Sequence, residues 1–263
     1  EPRPIRAVPS AAETPAPVPD AEPAEPAPGP APLAASVDDP GPPPEGCDVE
    51  PDDEGFFVRS TAKSSYVGYV PKGYRGKPTR LLVGLHGCGD DARNSAEWAV
   101  APYATRETQE HLAISVDGAS GEGNCWNVAR DAEKVIAALE DVSRCFYVHK
   151  QKVVVGGFSS GGILAYAVGL RNADRFAGIL VSNSSIGRGG ASLLANASRK
   201  MPIAHRARTG DEVFPIEAVR ATWDAIEDAG FPLVTSEAPG GHDGSTEDWA
   251  EWLIPQMRGW KKP

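Results

Sequence analysis

From residue 55 onward, short apolar blocks alternate with longer stretches whose apolar positions recur at helical spacing. The segments GFFVRS (55–60) and SSYVGYV (64–70) read as a hairpin-like pair of strands. TRLLVGL (79–85) is different: a continuous apolar run, which a strand carries when both faces of its sheet are covered. Comparable runs follow at LAISV, KVVVGG, AGILVS, MPIAH and PLVTS. Between them, Val135, Ile136, Leu139, Val142 and Phe146 fall at i, i+1, i+4, i+7 and i+11, and Asp131 and Glu133 stand in the first turn, where the helix dipole favours acids. Val219, Trp223 and Ile226 mark a second helix over 215–229, and Trp249, Leu253, Gln256 and Trp260 a last one. Strands alternating with helices predict an α/β fold with a mainly parallel central sheet and helices on both faces. The 209 residues from 55 to 263 suffice for one large core and not for two.

Ahead of this pattern the composition changes. Residues 1–44 hold 15 of the 25 prolines and few large apolar side chains, too few to offset the cost of ordering. They read as a disordered Pro/Ala/Glu-rich linker or tether before a catalytic domain at 45–263. Of the net charge of −10, most belongs to residues 1–50, where ten acids meet only Arg3 and Arg6. The remainder is nearly neutral, so it offers no basic field for nucleic acid or anionic lipid. No apolar run reaches 18 residues, so no transmembrane segment is expected. The start at Glu1, without an initiator Met or a signal-peptide core, reads as a mature or trimmed form. An envelope tether through the tail, by a lipid anchor ahead of Glu1, is one expectation. Four cysteines, an even number, suit an oxidising compartment, and therefore a secreted, periplasmic or envelope-tethered protein. They form no CxxC pair, and the five histidines show no HExxH or HxH, so zinc is the weaker reading.

The chemistry concentrates in KVVVGGFSSGGILAYAVGL. Gly157, Phe158, Ser159, Ser160 and Gly161 spell GxSxG between a predicted strand and a predicted helix. A sharp strand-to-helix turn lifts the Ser159 hydroxyl to the mouth of the sheet beside a helix N-terminus. The alternatives are a plain Gly/Ser-rich turn, or a phosphate loop, which would need a Lys after the glycines. A serine needs a base. His86, His111, His149 and His205 lie in or beside strands, whereas His242 stands in PGGHDGS, a glycine-flanked loop after the last strand. The acid should lie between them in sequence. Asp211 in RTGDEVFP fits, with Glu212 as its nearest rival. The backbone N–H groups of Ser160 and of Cys88, in the HGCG loop, are placed to serve as oxyanion donors. His86 is expected to orient that loop.

The order HGCG, CWN, GFSSGG, GDEVFP and GGHDG resembles the α/β-hydrolase superfamily, and within it the secreted esterases that include polyhydroxybutyrate depolymerases and family-1 carbohydrate esterases such as feruloyl and acetylxylan esterases. The resemblance spans roughly residues 65–255. It implies Ser159 as nucleophile, Asp211 as acid, His242 as base, Cys88 and Ser160 as oxyanion donors, and Cys125, Trp126 and Asn127 as the segment lining the acyl or leaving-group pocket. Such enzymes usually carry His-Gly before the acid. Here Ala207 and Arg208 stand there, which implies a differently shaped acid loop. The same layout places Cys88 and Cys125 where a bond would pin two loops together, leaving Cys47 for Cys145. Only 18 residues, 183–200, separate AGILVS from MPIAH, too few for a sizeable lid. An open groove flanked by Trp126 and Ile186, with Phe158 beside the nucleophile, is therefore expected. The implied substrate is a short-acyl, hydroxycinnamoyl or polyester ester, the protein a monomer needing no metal or organic cofactor. A peptidase or thioesterase on the same fold, or an inactive binding protein, are the competing readings.

Overall fold

The computed structural model describes residues 37–263. Strands β1 (Phe56–Ser60), β2 (Ser65–Tyr69), β3 (Thr79–Leu85), β4 (Leu112–Val116), β5 (Val148–Phe158), β6 (Gly178–Ser182), β7 (Ile203–Arg208) and β8 (Leu233–Ala238) form one sheet in the order β1-β2-β4-β3-β5-β6-β7-β8. β1 pairs antiparallel with β2, and β2 with β4; from β4 to β8 every pairing is parallel. The sheet is thus mostly parallel with a mixed edge. The helices are α1 (Ala92–Ser95), α2 (Val128–Cys145), α3 (Ser160–Arg171), α4 (Gly190–Asn196), α5 (Ile216–Asp228) and α6 (Ile254–Gln256). No helix among the described residues is long and apolar enough to cross a membrane.

The continuous apolar strands are explained by two cores. Leu81, Val83 and Leu85 of β3 point to one face, where Val135, Leu139 and Val142 of α2 and Leu164 and Val168 of α3 cover them. Leu82, with Val154, Leu180 and Ala204 from neighbouring strands, points to the other, against Val100, Trp249, Leu253 and Met257. A strand with both faces dry is predominantly apolar on both. The predicted last helix is irregular, a π-helical turn over Asp248–Leu253 followed by α6 and a 3₁₀ turn over Met257–Gly259. Its Trp249 and Leu253 are nonetheless fully buried, as their spacing implied.

Of the stretch read as a linker, residues 1–36 lie outside the described residues. Residues 37–44 belong with the domain. The N–H of Lys150 donates to Pro40 O at 3.0 Å, Asp39 N–H to Gln151 Oε1 at 2.9 Å, and Tyr147 Oη to Gly41 O at 2.9 Å. The composition of this segment is that of the tail, but its backbone is paired along the start of β5. Just beyond it Cys47 is bonded to Cys145 at the end of α2, and Cys88 to Cys125. By chain entropy, loops of these lengths make the two bonds worth about 5 and about 4 kcal/mol. With all four thiols so engaged, no thiolate is left for a metal.

Four of the five histidines, His86, His111, His149 and His205, are buried. Burial pushes both His111 and His205 down to about 3, and burial also lowers His149. His205 is fully buried, its Nδ1 2.9 Å from Tyr166 Oη. The unfolded chain takes up protons below about pH 6.5 that the folded chain refuses, so stability falls as pH falls through that window. Between pH 7.5 and 5, His111 and His205 together should cost roughly 4 kcal/mol, or about 10 °C in Tm. Thermal melts across that range check this, and a flat Tm would contradict it.

Candidate active site

Ser159 lies between the end of β5 and the start of α3, with φ at +54° and ψ at −123°, a conformation that residues other than glycine rarely adopt. The glycines around it are there because nothing larger fits. A Cβ on Gly157 would lie 2.2 Å from Gly161 O, and one on Gly161 would lie 2.1 Å from Leu85 O. The turn is held from below by Ser159 N–H donating to Ser182 O at 3.1 Å and Ser184 Oγ donating to Ser159 O at 2.7 Å. Strained backbone is thus over-determined by close packing, and the hydroxyl is presented at the C-terminal edge of the sheet.

The three residues singled out as a triad meet there. His242 Nε2 is 2.9 Å from Ser159 Oγ, and His242 Nδ1 is 2.8 Å from Asp211 Oδ2. Asp211 is buried, and its other oxygen accepts the N–H groups of Val213 and Phe214, both at 2.8 Å. A carboxylate so fixed accepts the Nδ1 proton of His242, which leaves the Nε2 lone pair facing the serine hydroxyl. Glu212, the rival acid, is exposed. The imidazole lies between two rings, Phe158 with centroids 5.1 Å apart and Phe214 at 5.5 Å.

The loop after β3 passes directly over the nucleophile. A Cβ on Gly87 would sit 2.7 Å from the Phe158 ring and 3.4 Å from Ser159 Cβ. Cys88 follows in this loop, which is fastened to residues 121–126 at several points: the Cys88–Cys125 bond, Gly89 N–H to Gly123 O at 2.9 Å, Asn124 Nδ2 to Asp90 O at 2.6 Å, and Trp126 Nε1 to His86 O at 2.8 Å. His86 is fully buried, with Nδ1 2.7 Å from Gly87 O and its ring against Trp126. It supports the loop, as expected. Among the described residues, neither Cys88 N–H nor Ser160 N–H has a protein acceptor, which leaves both donors free for an oxyanion.

The residues expected as groove walls have the following surroundings. Trp126 is only 7% exposed and its indole N–H donates to His86 O, so it underpins the oxyanion loop. Asn127 caps α2, its side chain accepting Ala129 and Arg130 N–H groups, so it too is engaged in structure. Ile186 is nearly buried, packed on Gly190 at the start of α4. Phe158 remains half-exposed beside the base. The residue missed is Trp98. Its ring stands edge-on to Phe158 at 5.5 Å, its Nε1 donates to Asp90 Oδ2 at 3.1 Å, and a Cβ on Gly244 would lie 2.8 Å from it. It thus touches the oxyanion loop, the residue before the nucleophile and the histidine loop. A tryptophan in a short alanine-rich stretch, with a glycine two residues after His242, was the available signal. A cavity of about 900 Å³ is lined by Pro40, Arg59, Glu140 and Lys150 towards the start of β5, away from the serine turn.

No curated protein sequence matches the chain significantly. Among solved structures, a ferulic acid esterase superposes with a TM-score of 0.60 at 16% identity, covering 76% of this chain and 95% of that one. An S-formylglutathione hydrolase from Staphylococcus aureus gives 0.62 at 13%, covering 82% and 98%. An acylaminoacyl peptidase from Pyrococcus horikoshii gives 0.61 at 14%, covering 82% of this chain and 42% of its own length. At such identities the likeness is one of fold. Residues 81–263 also match the alpha/beta hydrolase family. Since that match opens at β3 and runs through the serine turn, the acid loop and the histidine loop, the chain belongs to the alpha/beta hydrolase family, and its Ser159–His242–Asp211 arrangement supports a serine hydrolase acting on ester bonds.

Proposed function

We propose that the protein is an exported serine esterase with an open site, acting on short-acyl, hydroxycinnamoyl or polyester substrates. The observation that carries the reading is the unbroken relay from Asp211 through His242 to Ser159, with two unengaged N–H groups beside it. In this mechanism Ser159 Oγ attacks the ester carbonyl as His242 Nε2 takes its proton, and the oxyanion is held by Cys88 and Ser160 N–H groups. His242 then protonates the leaving alcohol, and water returns through the same path to release the acid. Asp211 keeps the imidazole in the required tautomer throughout.

The substrate class rests on the surroundings. Between β6 and β7 the sole helix is α4, seven residues long, which is small for a cover over the site. Trp98, Phe158 and Phe214 offer aromatic surface next to the base, and Val213 is 59% exposed beside the acid. Such walls suit a flat aromatic acyl group or a polymer segment better than a buried lipid chain. Two disulfides favour an oxidising compartment, and residues 1–36 would then serve as a tether.

Rates across a C2 to C16 nitrophenyl ester series, with an aminoacyl anilide alongside, test the reading. The maximum should fall at the short acyl chains, with no rise at a lipid interface and no comparable anilide turnover. Trp98→Ala should lower activity on feruloyl and polyester substrates more than on acetyl esters. A long-chain maximum would contradict the open-site reading, and faster anilide than ester turnover would favour a peptidase.

A further inference from the structure

β7 ends in Arg206, Ala207 and Arg208, and both arginines converge on one buried carboxylate. Asp248, its side chain 1% exposed, accepts Arg206 Nε on Oδ1 at 3.0 Å and Arg208 Nε and Nη2 on Oδ2 at 2.9 and 2.8 Å. The remaining arm of Arg208, Nη1, donates to Pro239 O at 2.7 Å. Pro239 opens the loop that carries His242. The next two carbonyls of that loop are held as well, Gly240 O by Gly210 N–H at 2.9 Å and Gly241 O by Asn183 Nδ2 at 3.3 Å. Each of the three carbonyls leading to the histidine therefore has a donor, and Arg208 is the charged one. Gly240 has φ of +130°, and a Cβ there would lie 3.2 Å from Arg208 Nη1, so the guanidinium lies in the space a side chain would take.

From this geometry we infer that Arg208 is a positioning residue for His242. It spans from a buried acid on the last helical segment to the base loop, and it stands three residues before Asp211, so acid and base share one anchor. An arginine suits the task because its donors are fixed in a planar fork, so that Nε and Nη2 hold the carboxylate while Nη1 is aimed at the carbonyl. Without it the loop keeps two neutral hydrogen bonds, and His242 Nε2 leaves the 2.9 Å contact with Ser159 Oγ for part of the time. Misplacement of this size lowers turnover without changing what the bound ester touches.

The inference rests on the esterase reading above, and its test separates the two. Arg208→Ala is expected to lower kcat on a short nitrophenyl ester ~10- to 100-fold with little change in KM. Guanidinium chloride at tens of millimolar should restore kcat several-fold, whereas equal urea should not. Arg220→Ala, which breaks the surface pair with Glu237 at 2.7 Å, should show neither effect. Should Arg208→Ala not fold, Arg208→Lys replaces it, with the kcat loss again expected. Parent-like kcat in the folded variant, or a loss shared equally between kcat and KM with no guanidinium response, overturns the inference. If Ser159→Ala is inactive while Arg208 variants are parent-like, only this inference falls. If Ser159→Ala is active, the esterase reading falls first.

Discussion

Ser159→Ala should lower turnover of a short ester by about 10⁶, the size of effect seen when a serine hydrolase loses its nucleophile. The fold should survive, for two reasons. The hydroxyl has one hydrogen-bond partner, His242, and the backbone bonds that hold the turn, to Ser182 O and from Ser184 Oγ, do not involve it. Alanine also brings no Cβ that serine lacked, so the strain at φ of +54° is unchanged. What should remain is the weak acceleration due to binding and to the oxyanion donors Cys88 and Ser160. Binding of the ester should be little affected, so the loss should appear in kcat.

Asp211→Asn should cost about 10⁴ in turnover with the protein still folded. Asparagine is the same shape, and its oxygen can still accept the N–H groups of Val213 and Phe214. Its amide nitrogen then faces His242 Nδ1 as a donor. To satisfy that donor the imidazole must accept on Nδ1 and carry its proton on Nε2, which points the wrong group at Ser159 Oγ. The base is present and correctly placed, yet in the wrong tautomer. Glu212→Gln, by contrast, alters an exposed side chain and should leave turnover near the parent's. Steady-state kinetics on the two variants check the assignment, and it is wrong by one position if their behaviours are exchanged.

The parts of the site that were legible in the sequence are those whose physics is local. Gly157 and Gly161 are demanded by backbone atoms within a few ångströms of them, and so the nucleophile turn is written in consecutive residues. The buried strands betray themselves by unbroken apolar runs, and α2 by its spacing, because each records which faces are dry. The bonds Cys88–Cys125 and Cys47–Cys145 are the pairing that the family resemblance implied, one of three that four cysteines allow. The rest depends on partners far apart in the chain. The pairing of Arg208 with Asp248 crosses 40 residues and leaves no local mark. Trp126 was expected as a wall because the family resemblance placed its segment at the pocket; only the position of His86 O shows that its polar edge is engaged underneath. Residues 37–44 share the composition of the tail, and composition says nothing of the backbone bonds that tie them to β5.

The central claim, that Ser159 is made nucleophilic by His242 and Asp211, is most directly tested by the mass of intact protein and of the Ser159→Ala variant after a fluorophosphonate. The parent should gain a single adduct, mapped to the peptide containing Ser159, as ester turnover is lost in step, and the variant should gain none. An unlabelled parent that still hydrolyses esters, or an adduct on another residue that accounts for the lost activity, would contradict it.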